Sequence, residues 1–151
     1  MAVVLDDLDW QLLELLQQDG RLTFRELGRR VSLSAPAVTE RVRRLEEAGV
    51  IVGYRAVVAP DRLGLPIEAV VQVRVRSLDT PRFRETVLTE PAVLDADHVT
   101  GADCWVLRVV CRSMADLEAF VERAQRYGES TTSLVFSSAV RGRPVSRSLV
   151  K

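Results

Sequence analysis

The N-terminal fold is decided by Thr23–Gly49, which reads TFRELGRRVSLSAPAVTERVRRLEEAG. Thr23, followed three residues later by Glu26, forms a capping box and predicts that a helix begins there. Ser34 caps a second helix, and Pro36 stands in its first turn, where a missing N–H costs little. Two helices joined by such a short turn predict a helix-turn-helix.

A supporting helix is predicted in front of this pair, over residues 7–18. Asp6 supplies its N-cap and Asp9 completes a capping box, while Asp19 and Gly20 end the helix. Its apolar stripe consists of Leu8, Leu12, Leu15 and Leu16. The first fifty residues therefore predict a three-helix domain.

The chain changes character after Gly49. Residues 50–58 are rich in β-forming side chains and residues 59–64 are turn-like, so we predict a strand and a hinge there. Strand and helix patterns then alternate in the order βαββαβ, which is the ferredoxin-like arrangement. The predicted strands cover residues 69–76, 93–99, 104–111 and 131–140. The predicted helices begin at Pro81, after the cap Thr80, and after the cap Ser113.

These patterns predict an α+β protein. A winged-type helix-turn-helix domain over residues 1–50 is joined by a linker strand and hinge, 51–65, to a ferredoxin-like βαββαβ domain over 66–141. A basic C-terminal tail, 142–151, follows. We expect this tail to be solvated rather than to touch DNA.

Composition argues against several classes of protein. The chain is 47% hydrophobic and 28% charged, as globular proteins are, and no apolar run reaches the roughly 18 residues of a bilayer span. We find no secretory signal and expect a cytoplasmic protein with no membrane partner. Cys104 and Cys111 are separated within one predicted strand and there is one histidine, so we expect no disulfide between them, no metal site and no cofactor.

The third helix, over residues 35–48, carries the side chains expected to meet DNA. A projection at about 100° per residue places Val38, Val42 and Leu45 on one face, which is predicted to pack on the two earlier helices. The predicted DNA-binding residues occupy the N-terminal cap and the remaining faces: Ser34, Pro36, Thr39, Glu40, Arg41, Arg43 and Arg44. Hydroxyl, carboxylate and guanidinium groups in such a position suit the edges of bases in the major groove.

Individual roles follow from the chemistry of each group. Arg43 is expected to bind guanine O6 and N7, and Glu40 to accept from cytosine N4. Arg41 and Arg44 are expected to hold phosphates. The alternative is that these charges form an ordinary solvated helix face.

The charge of the N-terminal segment limits this hypothesis. Residues 1–50 contain seven arginines against nine Asp and Glu residues, a net charge of −2. A single copy would bind DNA weakly, because neutralisation of phosphates dominates affinity. The hypothesis therefore requires a dimer or a larger assembly on double-stranded DNA.

Several segments follow one another without gaps and resemble the N-terminal half of the leucine-responsive regulator/asparagine-synthesis regulator family (Lrp/AsnC). They are Asp6–Asp9, Leu15–Thr23, Leu33–Ser34, Arg41–Ile51 and Tyr54. The resemblance extends over the whole chain through the Asp61–Gly64 hinge, the Val99–Gly101 turn and the final strand.

This resemblance implies a transcriptional regulator whose second domain senses a small-molecule effector, typically an amino acid. It also implies homodimers that pair sheet to sheet and assemble further into tetramers or octamers, with the effector bound between dimers. The implied effector-binding residues are Thr100, Gly101, Ala102, Asp103, Cys104 and Thr132.

The chain departs from the family pattern at the effector turn. Gly101 matches, but the acidic positions usual one and three residues later are Ala102 and Cys104, with Asp103 between them. Backbone N–H groups around Gly101 could bind a carboxylate, and Asp103 could accept from an ammonium group. The alternative is a plain β-turn that binds no ligand.

Two rival functions come from other classes. An architectural DNA-binding protein without an effector would share the helix-turn-helix but show little sequence preference. An enzyme has little to build on, because one histidine, two separated cysteines and no nucleotide-binding glycine motif supply no evident nucleophile and base.

Overall fold

The computed structural model describes residues 3–101 and 104–150. The helices are α1 (Asp7–Gln18), α2 (Phe24–Val31), α3 (Ala35–Glu47), α4 (Thr80–Thr86) and α5 (Met114–Gln125). The strands are β1 (Ile67–Val75), β2 (Val93–His98), β3 (Trp105–Cys111) and β4 (Gly128–Leu134). The described residues of 3–57 and 140–150 form one compact unit, and those of 58–139 form the other.

Helices α1 to α3 form the core of the N-terminal unit, and each begins at the predicted cap. Asp6 and Asp9 form the capping box of α1, Thr23 and Glu26 form that of α2, and Ser34 caps α3. The buried core of this unit consists of Leu12, Leu27, Val31, Val38 and Val42. The caps and the apolar spacing therefore determine the three-helix arrangement.

The tight turn between α2 and α3 depends on a glycine inside α2. The backbone N–H of Leu33 donates to the carbonyl oxygen of Gly28 at 2.9 Å. A Cβ at Gly28 would lie 2.4 Å from the carbonyl oxygen of Leu33, which is closer than atoms can approach. The close passage of the turn over α2 therefore requires a residue without a side chain.

Four antiparallel-paired strands form the sheet of the C-terminal unit, in the order β2-β3-β1-β4. Helices α4 and α5 cover one face, because Phe83 and Phe120 pack with Val71, Val73 and Leu107 in a single core. The order of elements confirms the ferredoxin-like arrangement. Neither α4 nor α5 covers the opposite face of the sheet.

The last strand differs from the prediction of residues 131–140. Strand β4 begins at Gly128 and ends at Leu134. It pairs with β1 from Val75, opposite Gly128, back to Ala69, opposite Leu134. Because β1 begins only two residues before Ala69, it offers β4 little further length to pair with. At the start of β4 a Cβ on Gly128 would lie 1.9 Å from the carbonyl oxygen of Arg74. Glycine therefore permits the close pairing that places the strand earlier in the chain.

The strand predicted over residues 50–58 is wrong for the single chain. These residues form no strand, and the described residues of the N-terminal unit contain no wing. Ile51 packs partly against the helical core, and the Tyr54 hydroxyl donates to Glu46 at 3.0 Å. Burial, followed by this hydrogen bond, raises the pKa of Tyr54 to about 12. The segment has β-forming side chains but no neighbouring strand to pair with.

The C-terminal tail is exposed except for the half-buried Arg147, as expected of a solvated segment, but it also makes contacts with α1. It belongs to the same compact unit as α1 to α3, with Val145 hydrogen-bonded to Gln17 and Arg147 paired with Asp7. None of the helices formed by the described residues is long and apolar enough to cross a membrane.

Candidate nucleic-acid interface and effector turn

Helix α3 presents one apolar and one polar face, as its sequence predicts. Val38, Val42 and Leu45 are buried. Six of the seven predicted DNA-binding residues are exposed in the single chain, while Arg41 is half-buried. The exposed ones are Ser34, Pro36, Thr39, Glu40, Arg43 and Arg44.

The hydroxyl groups near the start of α3 are already engaged with the helix backbone. The Ser34 Oγ accepts from the Ala37 N–H at 3.3 Å, and the Thr39 hydroxyl donates to the Ala35 carbonyl at 2.9 Å. A hydroxyl oxygen has two lone pairs, so Thr39 can still accept a hydrogen bond from a base while its own proton is used.

Arg43 lies between two carboxylates on the exposed surface of α3. Its guanidinium contacts Glu40 at 2.7 Å and also contacts Glu47. The hydrogen bond that Arg43 donates to Glu40 raises the pKa of Arg43 and lowers the pKa of Glu40. Because the Arg43 side chain is 54% exposed, these ion pairs are weak and can exchange for a contact to DNA.

Arg41 has a different environment from the one predicted. Its guanidinium lies 2.7 Å from carboxylate oxygens of both Asp6 and Asp9, and its side chain is 24% exposed. Asp9 is 2% exposed. The geometry therefore favours a structural role for Arg41, as an ion pair between α1 and α3, over the predicted contact to phosphate.

Arg44 shares the same buried carboxylate but remains accessible. Its guanidinium lies 3.1 Å from Asp9, and its side chain is 58% exposed. Arg44 can therefore contact Asp9 and still turn part of its guanidinium toward a phosphate, as predicted.

The ion pairs also affect the first cap. The backbone N–H of Asp9, followed by the Arg41 guanidinium, lowers the pKa of Asp6 below its ordinary value. Asp6 thus caps α1 and bonds Arg41 of α3 in its ionised form. Asp6 and Asp9 are recognisable in the sequence as caps, whereas their pairing with α3 was not predicted. The signal for that pairing is the spacing of Arg41 and Arg44, which places both guanidiniums on one side of the helix.

The effector-turn residues are only partly brought together. Gly101 has a φ of +116°, a region that favours glycine, and Thr100 is exposed beside it. Cys104 is half-buried, and its Sγ accepts from the Val75 N–H at 3.3 Å. Ala102 and Asp103 lie outside the described residues.

Thr132 is exposed on β4, apart from the turn. Val71 of β1 pairs with Thr132 of β4 on one side and with Leu107 of β3 on the other. Thr132 therefore lies two strand spacings across the sheet from Leu107, and Cys104 lies three residues before Leu107. These steps correspond to about 14 Å between the two positions. Within one chain, Thr132 therefore does not meet the turn.

An aromatic stack stands next to the turn. The His98 and Trp105 rings lie 4.7 Å apart, and the Arg84 guanidinium lies 5.5 Å from the Trp105 ring. Trp105 is buried in the core of the sheet, whereas His98 is exposed. Among the described residues, no cluster of three His, Cys, Asp or Glu side chains could hold a metal ion.

Comparison with known proteins places these features in context. Residues 5–46 match the model of the AsnC-type helix-turn-helix domain, and residues 68–145 match that of the Lrp/AsnC ligand binding domain. The HTH-type transcriptional regulator LrpC of Bacillus subtilis is 38% identical over 88% of this chain and 92% of its own length. The leucine-responsive regulatory protein of Rhizobium meliloti is 38% identical over 80% of both chains.

Two solved structures are similar over almost the whole chain. The structure of B. subtilis LrpC has a TM-score of 0.86 at 36% identity and covers 91% of this chain and 99% of its own. The transcriptional regulator NMB0573 of Neisseria meningitidis, solved as an L-Met complex, has a TM-score of 0.90 at 27% identity and covers 98% of this chain and 100% of its own.

Proposed function

Because the chain belongs to the Lrp/AsnC family of transcriptional regulators, and is therefore not an enzyme, we propose that it binds specific DNA sequences as a homo-oligomer and responds to an amino acid. The base-reading residues are Ser34, Pro36, Thr39, Glu40 and Arg43, with Arg44 on a phosphate. We expect the protein to act on DNA in the cytoplasm.

One observation carries the DNA-reading part of this proposal. The polar face of α3 is exposed, while Val38, Val42 and Leu45 on the opposite face are buried against α1 and α2. A helix held by its apolar side on two supporting helices can lie in the major groove and present its polar side to bases.

The open face of the sheet supports the proposal of a dimer. Val70 and Val106 are half-buried and lie on the face of the sheet that α4 and α5 do not cover. Glu68 and Arg108 form an ion pair beside them. The cross-strand neighbours of the two valines are polar or charged: Arg108 opposite Val70, and Gln72 and Asp97 on either side of Val106. A surface that mixes half-buried apolar side chains with charges suits pairing with a second copy. Two copies would also give two reading helices on one DNA site.

The effector part of the proposal rests on the separation of the turn from Thr132. An amino acid spans too little to contact two places about 14 Å apart in one sheet. We therefore propose that a second copy completes the site, with the backbone N–H groups around Gly101 binding the carboxylate and Asp103 accepting from the ammonium group. We expect Thr100, Ala102 and Cys104 to border the bound amino acid. The second candidate function is an architectural DNA-binding protein, favoured by the missing acidic residues at Ala102 and Cys104.

Footprinting of the purified protein on its own promoter region, with and without each of the twenty amino acids, tests the proposal. We expect protection in segments spaced by multiples of about 10 base pairs, altered by at least one amino acid. Uniform protection of every fragment, unchanged by all twenty, would favour the architectural function. No protection at any concentration would overturn the DNA-binding role.

A further inference from the structure

The C-terminal segment, residues 140–150, docks along α1. The Val145 N–H donates to the Gln17 side-chain oxygen at 2.7 Å, and the Gln17 side-chain nitrogen donates to the Val145 carbonyl at 3.2 Å. Further on, the Arg147 guanidinium lies 2.5 Å from the Asp7 carboxylate. The segment therefore runs antiparallel to α1, from its last turn toward its first.

Apolar side chains of the N-terminal unit lie near these polar contacts, although Val145 itself remains 54% exposed. Val145 lines a cavity of about 830 Å³ in the N-terminal unit together with Leu13, Leu16 and Tyr54. The Gln17 amide satisfies both backbone groups of Val145, as a neighbouring strand would. The tail is thus held at two positions, Val145 and Arg147, by contacts that are solvent-exposed and individually weak.

Docking changes the sign of the charge on the DNA-binding unit. Residues 1–57 contain eight arginines against nine Asp and Glu residues, so on their own they are net negative. Residues 140–151 contain three arginines, one lysine and no acid. Together the two segments carry a net charge of +3. Phosphate neutralisation dominates DNA affinity, so the tail supplies what the helices lack.

We propose that the C-terminal segment is a working part of the DNA-binding unit: Gln17 and Asp7 hold it on α1, and its arginines add phosphate contacts. This inference rests on the proposed DNA-binding function. Arg147 fastens the segment by its pair with Asp7, while Arg141 and Arg143 supply the added attraction to DNA. The positive charge of the tail thereby offsets the net negative charge of residues 1–57.

Docking is tested without DNA by limited trypsin digestion after Arg147. Cleavage follows the undocked population when docking is fast. Loss of two exposed hydrogen bonds in Gln17→Ala should speed cleavage about threefold to tenfold. The matched control is Gln11→Ala, which changes an exposed glutamine of the same helix and should leave the rate unchanged. Equal rates for the two variants would overturn the docking.

The charge role is tested by titrating a mixed-sequence duplex of about 30 base pairs over a range of salt concentrations. The double variant Arg141→Gln/Arg143→Gln should lower the slope of log affinity against log salt by about 0.9 for each phosphate that is no longer neutralised. The control Arg82→Gln/Arg112→Gln removes two exposed arginines from the other unit and should leave the slope unchanged.

The outcomes separate the two inferences. Equal slopes for the two double variants would overturn the charge role of the tail while leaving DNA binding intact. A wild-type chain that binds no duplex would overturn the proposed function and the charge role together, and the trypsin comparison would still decide whether the tail docks.

Discussion

Arg41 of α3 and Asp9 of α1 form an ion pair with a nitrogen–oxygen distance of 2.7 Å, in which the carboxylate is almost fully buried. Arg44 reaches the same carboxylate from the next turn of α3. One acid thus fixes the reading helix against its support through two arginines. Those two arginines differ in exposure, and so they should differ in function.

Substitution of each arginine should separate stability from DNA binding. Arg41→Gln removes a partner of a buried carboxylate and should lower the free energy of unfolding by about 1–3 kcal/mol, with the salt slope of DNA binding unchanged. Arg44→Gln should reduce that slope by about 0.9 and cost less than about 1 kcal/mol of stability. Denaturant titrations and salt-dependent DNA titrations measure both. The reverse pattern would assign the phosphate contact to Arg41.

Asp6 should make the stability of the N-terminal unit sensitive to acid. Its folded-state pKa lies below the ordinary value of 3.8, so its stabilising effect is present above that value and is lost as pH falls through the folded pKa. Asp6→Asn keeps a good N-cap and removes the charge. The difference in unfolding free energy between wild type and Asp6→Asn should therefore shrink below about pH 4. A difference constant from pH 7 to pH 2 would contradict this role.

Gly28 should be the least replaceable glycine of the helix-turn-helix. In Gly28→Ala the new methyl group would meet the Leu33 carbonyl, and the adjustment should cost about 1–3 kcal/mol of unfolding free energy. Gly20→Ala is the control, because its Cβ would meet Tyr54 at an ordinary 3.6 Å. Its effect should stay within about 0.5 kcal/mol. Thermal or denaturant unfolding of both variants measures these costs. Equal losses of unfolding free energy would contradict the close approach of Gly28 to the Leu33 carbonyl.

The open face of the sheet should hold the dimer together. Val106→Asp places a charge among the half-buried side chains of this face and should convert the dimer to a monomer in sedimentation velocity. Leu78→Asp is the control, since Leu78 is exposed in the turn before α4 and lies outside the sheet. A monomeric wild type, or a Val106→Asp variant that stays dimeric, would place the assembly surface elsewhere.

Sequence reasoning located most of the fold because the deciding signals are local. The caps at Asp6, Thr23 and Ser34 fix where the first three helices begin, and the apolar spacing of α3 fixes which of its faces is buried. Alternation along β1 similarly identified the sheet. Such signals depend on residues a few positions apart, which a single sequence displays.

The remaining features depend on partners distant in the chain. Arg41 appeared free to bind phosphate because its partners lie more than thirty residues earlier. Residues 50–58 have the composition of a strand, but composition does not reveal whether a neighbouring strand exists. The contacts of the exposed tail with α1 were missed because no pattern within the tail points to Gln17.

The most direct test of the central claim, that the polar face of α3 reads bases, is the specificity of Arg43→Ala. A preferred site is selected with wild-type protein from random duplexes, and affinities are then measured for that site and for each of its single-base variants. Arg43→Ala should lose about 1–3 kcal/mol on the preferred site and lose discrimination at one guanine position, while its discrimination elsewhere is kept. Unchanged affinity and an unchanged preference at every position would contradict the account.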